Sequence, residues 1–442
     1  MEYSSIDIFC RYIDNFGDAG VAYRLAKEFK AARPDCRVRL FMSYMYALNA
    51  IESGIDPTKE IQEHGSIVYV QMSNTLDPAE SGLGVADVLV EIFACDIPQK
   101  MFAAALDNSK LIINLEYLSA EEWVEEYHLF ESLLGRGTAR KFFFMQGFRE
   151  TTGGLIINSK LRALREGGGL DRLAVINGVA GRFGAPIEPG GAPLVGTVFT
   201  YRRGFDTLIA DLVGFGRDTL LLVFGVMSQH GMAATLGRLS GTGQHTEQRP
   251  PNYEYRYNGE FTGQCHTYKN VRVLYAPFIP QHDYDTLLCC ADFNLVRGED
   301  SLARAVLSGR PFIWQAYIQA DEHQCVKVEA LLKTMRPYYV ESGFDGAFAE
   351  YCALEMAFNR ADRKSTEQVT EERYGAFFKD LKKHERVARA INYFMHKSCD
   401  LIAKFRDFLD RYPESAPPTD KRANMRDPLQ LREYATIINT KK

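Results

Sequence analysis

Ile13-Asp14-Asn15-Phe16-Gly17-Asp18-Ala19-Gly20 is the stretch whose reading decides the fold. It follows an apolar run at 6–10, which reads as a buried strand, and precedes 21–29, where Val21, Leu25 and Phe29 recur at helical spacing. A strand, a turn with two glycines and a helix put side chains at the mouth of a parallel sheet, the edge where open α/β sheets bind ligands. Two acids, Asp14 and Asp18, sit in that turn, and packing alone explains neither.

Outward from this turn, apolar runs return at 38–42, 67–70, 88–93, 111–115 and 142–145, with helix-like or turn-rich segments between them. Such alternation predicts a parallel sheet covered on both faces. Residues 135–140 read as a flexible basic link. Residues 166–193 hold Gly167-Gly168-Gly169, Gly181, Gly184, Gly190-Gly191 and three prolines, and read as an irregular linker. A second series follows, with strands expected at 194–200, 219–224, 271–275, 293–296 and 311–314, and helices at 205–213, 284–291, 302–307 and 322–332. The polar segment 241–264 reads as an exposed loop. Ile391, Phe394, Met395, Ile402, Phe405 and Leu409 fit one face of a long amphipathic helix, expected to pack across both halves.

The expected fold class is therefore α/β, with two Rossmann-like domains facing a cleft. Residues 1–185 form the first, joined by the C-terminal helix at about 391–412; residues 186–390 form the second, and 413–442 a polar tail.

A chain of 442 residues is too long for one ordinary core, which agrees with two domains. A hydrophobic share of 46% and a charged share of 25% are those of a soluble globular protein. The net charge of -5 gives no reason to expect nucleic acid or an anionic membrane as partner. Residues at the N-terminus lack a basic, then apolar, leader pattern, and no apolar run reaches the length of a membrane span, so the expected location is the cytoplasm. Nine scattered cysteines without a C-x-x-C pair read as free, mostly buried thiols.

The second concentration of signal is Asp292-Phe293-Asn294-Leu295-Val296-Arg297-Gly298-Glu299-Asp300-Ser301. A strand ends at Arg297, Gly298 permits a sharp turn, and Asp300 or Ser301 can cap a helix. Capping leaves Arg297 and Glu299 unexplained, whereas a helix N-terminus beside an arginine suits a diphosphate, and Glu299 suits sugar hydroxyls. Upstream, Phe278 and Gln281 stand where they can stack on and hydrogen-bond a base, with core packing an equal explanation for Phe278. Asp283-x-Asp285 has the spacing of a metal-binding acid pair, but acids in a first helical turn favour the helix dipole without a metal. His282 and His323 read as surface residues, and Ser119 to Glu122 as a capping box before Trp123. Phe199-Thr200-Tyr201-Arg202-Arg203 ends the first strand of the second half with a hydroxyl and two guanidinium groups. No phosphate-binding glycine loop, dinucleotide fingerprint or hydrolase elbow follows a strand.

Taken together, I-D-N-F-G-D-A-G at 13–20, N-L-E-Y-L-S-A-E-E-W at 114–123, K-F-F-F-M-Q-G-F at 141–148 with T-G-G behind it, P-F-I-P-Q-H-D-Y-D at 277–285 and R-G-E-D-S at 297–301 resemble the bacterial protein-arginine rhamnosyltransferases of the EarP type. The resemblance implies an inverting GT-B glycosyltransferase that moves L-rhamnose from dTDP-β-L-rhamnose to one arginine of translation elongation factor P, with no metal and no further cofactor. It implies Asp18 as general base, Asp14 as a holder of the acceptor guanidinium or the sugar, and Glu299 as a contact to the rhamnose that supports transition-state charge. Asp300 and Ser301, with Tyr201, are implied to hold the diphosphate, and Phe278, Gln281 and Arg297 to surround the thymidine part. Asn15, Phe16, Gly17 and Gly298 are implied among the substrate-binding residues. Arg202-Arg203 departs from the family pattern, and the motifs thin out beyond residue 332. Two alternatives stand beside this reading: a GT-B enzyme acting on a small-molecule acceptor, and a non-catalytic binding module with the same fold.

Overall fold

Strand β1 (Ser5–Cys10) is buried along its whole length, as a strand flanked on both sides and covered on both faces must be. The computed structural model describes residues 2–13, 15–132, 134, 137–241, 261–319, 322–360 and 372–412. After β1 come α1 (Asn15–Ala32), β2 (Arg37–Met42), α2 (Met45–Ile51), β3 (Ile61–His64), β4 (Ile67–Gln71), β5 (Val88–Ile92), α3 (Gln99–Asn108), β6 (Leu111–Glu116), α4 (Trp123–Tyr127), β7 (Glu131–Ser132) and β8 (Arg140–Met145). These strands form one sheet in the order β3-β4-β2-β1-β5-β6-β8-β7, parallel except for the antiparallel pairs that close each edge. The chain moves outward from β1 through β2, then returns to start the other side at β5. The carboxyl ends of β1 and β5 therefore bound the switch point, where a crevice opens.

The second half holds α5 (Ser159–Glu166), α6 (Arg172–Ala180), β9 (Leu194–Val198), α7 (Asp206–Phe215), β10 (Thr219–Val223), α8 (Val226–Ser240), β11 (Cys265–Tyr268), β12 (Val271–Tyr275), α9 (Gln281–Cys290), β13 (Phe293–Arg297), α10 (Gly298–Ser308), β14 (Phe312–Gln315), α11 (His323–Glu341), α12 (Asp345–Arg360), α13 (Gly375–Lys379), α14 (Leu381–Ser398) and α15 (Leu401–Arg411). Its sheet runs β11-β12-β10-β9-β13-β14, so its switch point lies between β9 and β13. Two α/β sheets with their own cores, each opening at a switch point, make the GT-B architecture expected from the sequence. Among the described residues, no helix is long and apolar enough to cross a membrane.

Several elements differ from expectation. Helix α1 begins at Asn15 rather than Val21, so the opening stretch is mostly first helical turn and not a loop. The segment 166–193 contains α6, whose start is capped by the Asp171 carboxylate accepting the Ala174 N–H at 3.0 Å. Its Ile176, Val179 and Ala180 are buried in the second core; the glycines that suggested a linker flank this helix. The single late helix is two. α14 places Ile391 and Met395 in the second core, and α15 places Leu401, Ile402, Phe405 and Leu409 in the first. They break at Cys399-Asp400, where Asp400 caps α15 by accepting from Ile402 and Ala403. Residues 242–260 of the expected loop, Gly135 and Arg136 of the expected link, and 413–442 lie outside the described residues. Arg140 opens β8 and pairs with Glu131. Seven of the nine cysteines are buried and all are free.

One buried acid in the second half sets a pH dependence. Glu355 is 1% exposed, and one of its oxygens accepts the Trp314 N–H and the Tyr351 hydroxyl, each at 2.9 Å. Burial pushes its carboxyl up to about 8, outweighing those hydrogen bonds and the Arg203 charge, which act the other way. Between the ordinary carboxyl range and about 8, the folded chain keeps a proton that the unfolded chain has released. Stability is therefore expected to fall as pH rises through that window. Glu355→Gln keeps the accepting oxygen and should flatten the profile in urea unfolding; an unchanged slope contradicts this assignment.

Candidate active site

Asp18 lies in the first turn of α1, where a carboxylate faces the positive end of the helix dipole. It is 3% exposed, and its Oδ2 accepts the Ile13 N–H at 3.1 Å, which folds the chain leaving β1 back onto the helix start. Asp14 and the side chain of Asn15 lie outside the described residues. Phe16 reaches across the cleft, its ring 5.5 Å from that of Phe278. A side chain at Gly17 would meet nothing within 4 Å, whereas a Cβ at Gly20 would fall 2.3 Å from Gln281 Nε2 and 3.8 Å from the Asp300 carboxylate. Gly20 thus lets α1 rest directly on the starts of α9 and α10.

That contact is locked by charge. Arg24, one turn further along α1, donates to both oxygens of Asp300, with Nη1 to Oδ2 at 3.3 Å. Arg304 approaches Asp300 at 3.6 Å and also pairs with Asp285. Burial alone would raise the Asp300 carboxyl; the Arg24 and Arg304 guanidinium groups outweigh it and hold the carboxyl below its usual range. An ion-paired chain Arg24–Asp300–Arg304–Asp285 therefore joins the helix that carries Asp18 to the helix that opens the second site. Asp300 turns its carboxylate into this joint, so an anion at the α10 N-terminus would meet its backbone N–H and not its side chain. The cavity of about 30 Å³ beside this joint has room for a water or two.

On the opposite lip, Gly298 takes φ +64 to turn β13 sharply into α10, and a Cβ there would stand 3.2 Å from the Tyr201 hydroxyl. The Trp314 indole N–H donates to the Gly298 carbonyl at 2.9 Å and fixes the turn. Arg297 lies over the rings of Phe199 and Tyr201 at 4.3 and 4.9 Å, and donates to the Thr200 carbonyl at 3.1 Å. Tyr201 donates its N–H to Gln315 at 2.8 Å and sets its ring edge-on to Tyr317. Ser301 is buried in the first turn of α10, and Glu299 there pairs with Lys327 of α11 at 3.0 Å. The structure thus gathers Phe16 with Phe278, Gly20 with Gln281 and Asp300, and Tyr201 with Arg297 and Gly298. It holds Glu299 on a lysine of its own half.

Of the other candidates, Asp285 is committed to Arg304, while Asp283, His282 and His323 are exposed. The capping box before Trp123 takes another form: the Ser119 hydroxyl accepts the Glu121 N–H at 3.1 Å, and Glu122 pairs with Lys333 of the second half. Two groups escaped the sequence reading. One is Arg24, a single cation on a helix face with no motif to mark it. The other is the acid floor under the first crevice, Glu91 with Lys141 and Glu116 with Asn114, whose carboxyls burial pushes up. Its signal was present, since charged residues stand inside the apolar strands 88–92 and 111–116.

Comparison with known proteins shows the family and the fold. The family model described as elongation factor P (EF-P) rhamnosyltransferase EarP matches residues 6–410, well past the last recognisable motif. A protein-arginine rhamnosyltransferase of Pseudomonas aeruginosa is 34% identical over 353 residues, covering 75% of this chain and 81% of the relative. Another, of Pseudomonas putida, is 35% identical over 338 residues with the same coverage. The solved structure described as the structural basis for EarP-mediated arginine glycosylation of translation elongation factor EF-P superposes with a TM-score of 0.56 at 22% identity. It covers 92% of this chain and 99% of that one, a likeness of fold. The chain belongs to the EarP family, the elongation factor P rhamnosyltransferases.

Proposed function

We propose that this protein transfers L-rhamnose from dTDP-β-L-rhamnose to an arginine side chain of elongation factor P, with inversion at the anomeric carbon, in the cytoplasm where translation factors work. The observation that carries the reading is the ion-paired joint: it ties the acid-bearing start of α1 to the start of α10, so acceptor and donor groups meet across one cleft. The family match and the named relatives support this choice of sugar and acceptor.

In this proposal the first N–H groups of α10, at Glu299, Asp300 and Ser301, with the Tyr201 hydroxyl, hold the diphosphate. Phe278, Gln281 and Arg297 surround the thymidine part, and Gly298 lets the donor approach the backbone. Glu299 contacts the rhamnose and supports positive charge as the glycosidic bond loosens. Phe16 and Gly17 line the acceptor side with Asn15. A guanidinium is a poor nucleophile, since its pKa lies above about 12 and its lone pairs are delocalised. Asp18 takes or orients one of its protons, which localises electron density on the attacking nitrogen; Asp14 positions the group. Attack opposite the leaving dTDP inverts the carbon. No metal enters the proposal, and the Asp285 carboxylate, engaged by Arg304, is withdrawn from the Asp283-x-Asp285 pair.

The reaction is tested by NMR of the glycosylated acceptor. An α-linked rhamnosyl arginine from the β-linked donor is expected, and a β-linked product or release of free sugar alone sinks the inverting assignment. The joint makes a further prediction. Hydrogen bonds to charged groups are worth about 1.5–3 kcal/mol, so Arg24→Met should lower turnover roughly 10- to 100-fold. Because Arg24→Met and Asp300→Asn share the Arg24–Asp300 contact, although Asp300→Asn also weakens the pairing with Arg304, the double variant should lose less than the sum of the two single losses. Additive losses in steady-state kinetics would mean that the pair does not act as a unit.

A further inference from the structure

We infer that the aromatic row Tyr46–Tyr44–Tyr12, exposed at Tyr44 and Tyr46 and half-buried at Tyr12, is the docking surface for the arginine-bearing segment of the acceptor protein, an inference that rests on the function proposed above. Tyr12 follows β1 and Tyr44 follows β2, neighbouring parallel strands, so both rings stand on the carboxyl edge of the first sheet beside the start of α1. The Tyr12 N–H donates to the Ser43 hydroxyl at 2.9 Å and pins the two strand exits together. Ring centroids step from Tyr46 to Tyr44 at 5.5 Å, to Tyr12 at 5.1 Å and to Phe16 at 6.5 Å, and Phe16 shares the first turns of α1 with Asp18. Tyr44 is 46% exposed, Tyr46 49% and the adjoining Ile13 63%. A contiguous exposed apolar face beside a cleft is the mark of an interaction site.

The charge pattern selects the occupant. Aromatic faces are electron-rich, and a guanidinium, weakly hydrated and planar, stacks on them. Phe16, the last ring of the row, shares the first turns of α1 with Asp18, so an arginine approaching along the rings moves toward the acid-bearing end of that helix. The anionic donor meets the opposite chemistry across the cleft, where Arg297 and the α10 N-terminus stand. The two substrates therefore reach the reacting centre over surfaces of opposite preference, and the row is on the cationic substrate's side.

The test compares Tyr44→Ala/Tyr46→Ala with Tyr44→Phe/Tyr46→Phe in transfer to elongation factor P, with binding of elongation factor P measured separately by calorimetry. Loss of two exposed cation–π contacts, with the lost apolar contact added, gives an acceptor KM and Kd raised roughly tenfold in the alanine pair. The kcat at saturating acceptor, the KM for dTDP-rhamnose and the melting temperature should stay at wild-type values, and the phenylalanine pair should bind like wild type. An unchanged acceptor KM in the alanine pair overturns the inference. So does a shift in sedimentation of the enzyme alone, which would give the row to a second copy of this chain. Wild-type protein that neither binds nor modifies elongation factor P overturns the proposed function and this surface together; modification with the alanine pair unaffected overturns the surface alone.

Discussion

Asp18→Asn is expected to lower transfer to elongation factor P by roughly 10²- to 10⁴-fold, the usual worth of a positioned general base, while both substrates still bind. Asparagine has the size of aspartate and its amide oxygen can still accept the Ile13 N–H, so the start of α1 and the fold of the first half are retained. What is lost is the basic oxygen. The acceptor remains protonated and delocalised, and attack on the anomeric carbon slows. Single-turnover rates with saturating substrates read the chemical step; calorimetric titration with dTDP-rhamnose reads the donor site. Near wild-type turnover would show that another group handles the proton. A loss of donor affinity as large as the loss of rate would instead mean that Asp18 shapes the site rather than the reaction.

Gly154→Ala is expected to destabilise the chain by about 2–5 kcal/mol, combining left-handed backbone strain of about 1–2 kcal/mol with overpacking of about 1–3 kcal/mol. Gly154 has φ +77, and a Cβ there would stand 2.2 Å from the Cys399 carbonyl oxygen and 2.6 Å from its carbon. Those are backbone atoms, so no rotamer change relieves the clash. The same spot holds the bridge in which Leu155 donates to Cys399 at 2.8 Å and Leu401 donates to Leu155 at 2.9 Å. This bridge fixes the break between α14, packed in the second core, and α15, packed in the first. Gly168→Ala is the control: φ is +68 and nothing lies within 4 Å, so only the backbone strain applies. Urea unfolding should therefore separate the two variants clearly. Equal losses would show that the close approach at Cys399 is relieved at little cost.

The legible parts of the fold were those with strong local periodicity. Strands buried on both faces, such as 6–10 and 219–223, stand out as short apolar runs, and the two switch points follow from their alternation with helices. Residues 172–180 were hidden because glycines flank the helix on both sides, and composition averaged over the segment masked the apolar set Ile176, Val179 and Ala180. The late helix was read as continuous because its apolar period persists through Cys399-Asp400; only the bridge to Leu155, set by tertiary contact, reveals the break. Much of the site was legible for a different reason. Acids at strand ends have weak structural explanations, so Asp18 and Glu299 announce themselves. Arg24 does not, because an arginine on a helix face is ordinary until Asp300, 276 residues away, is known to face it. The same distance hid the pairing of the Asp300 carboxylate with Arg24.

Mass spectrometry tests the central claim most directly. Elongation factor P incubated with this protein and dTDP-β-L-rhamnose, digested and fragmented, should gain one deoxyhexose on a single arginine, and the Asp18→Asn protein should leave that arginine unmodified on the same timescale. An acceptor that keeps its mass with active donor present, or a sugar found on any residue other than arginine, would contradict the account.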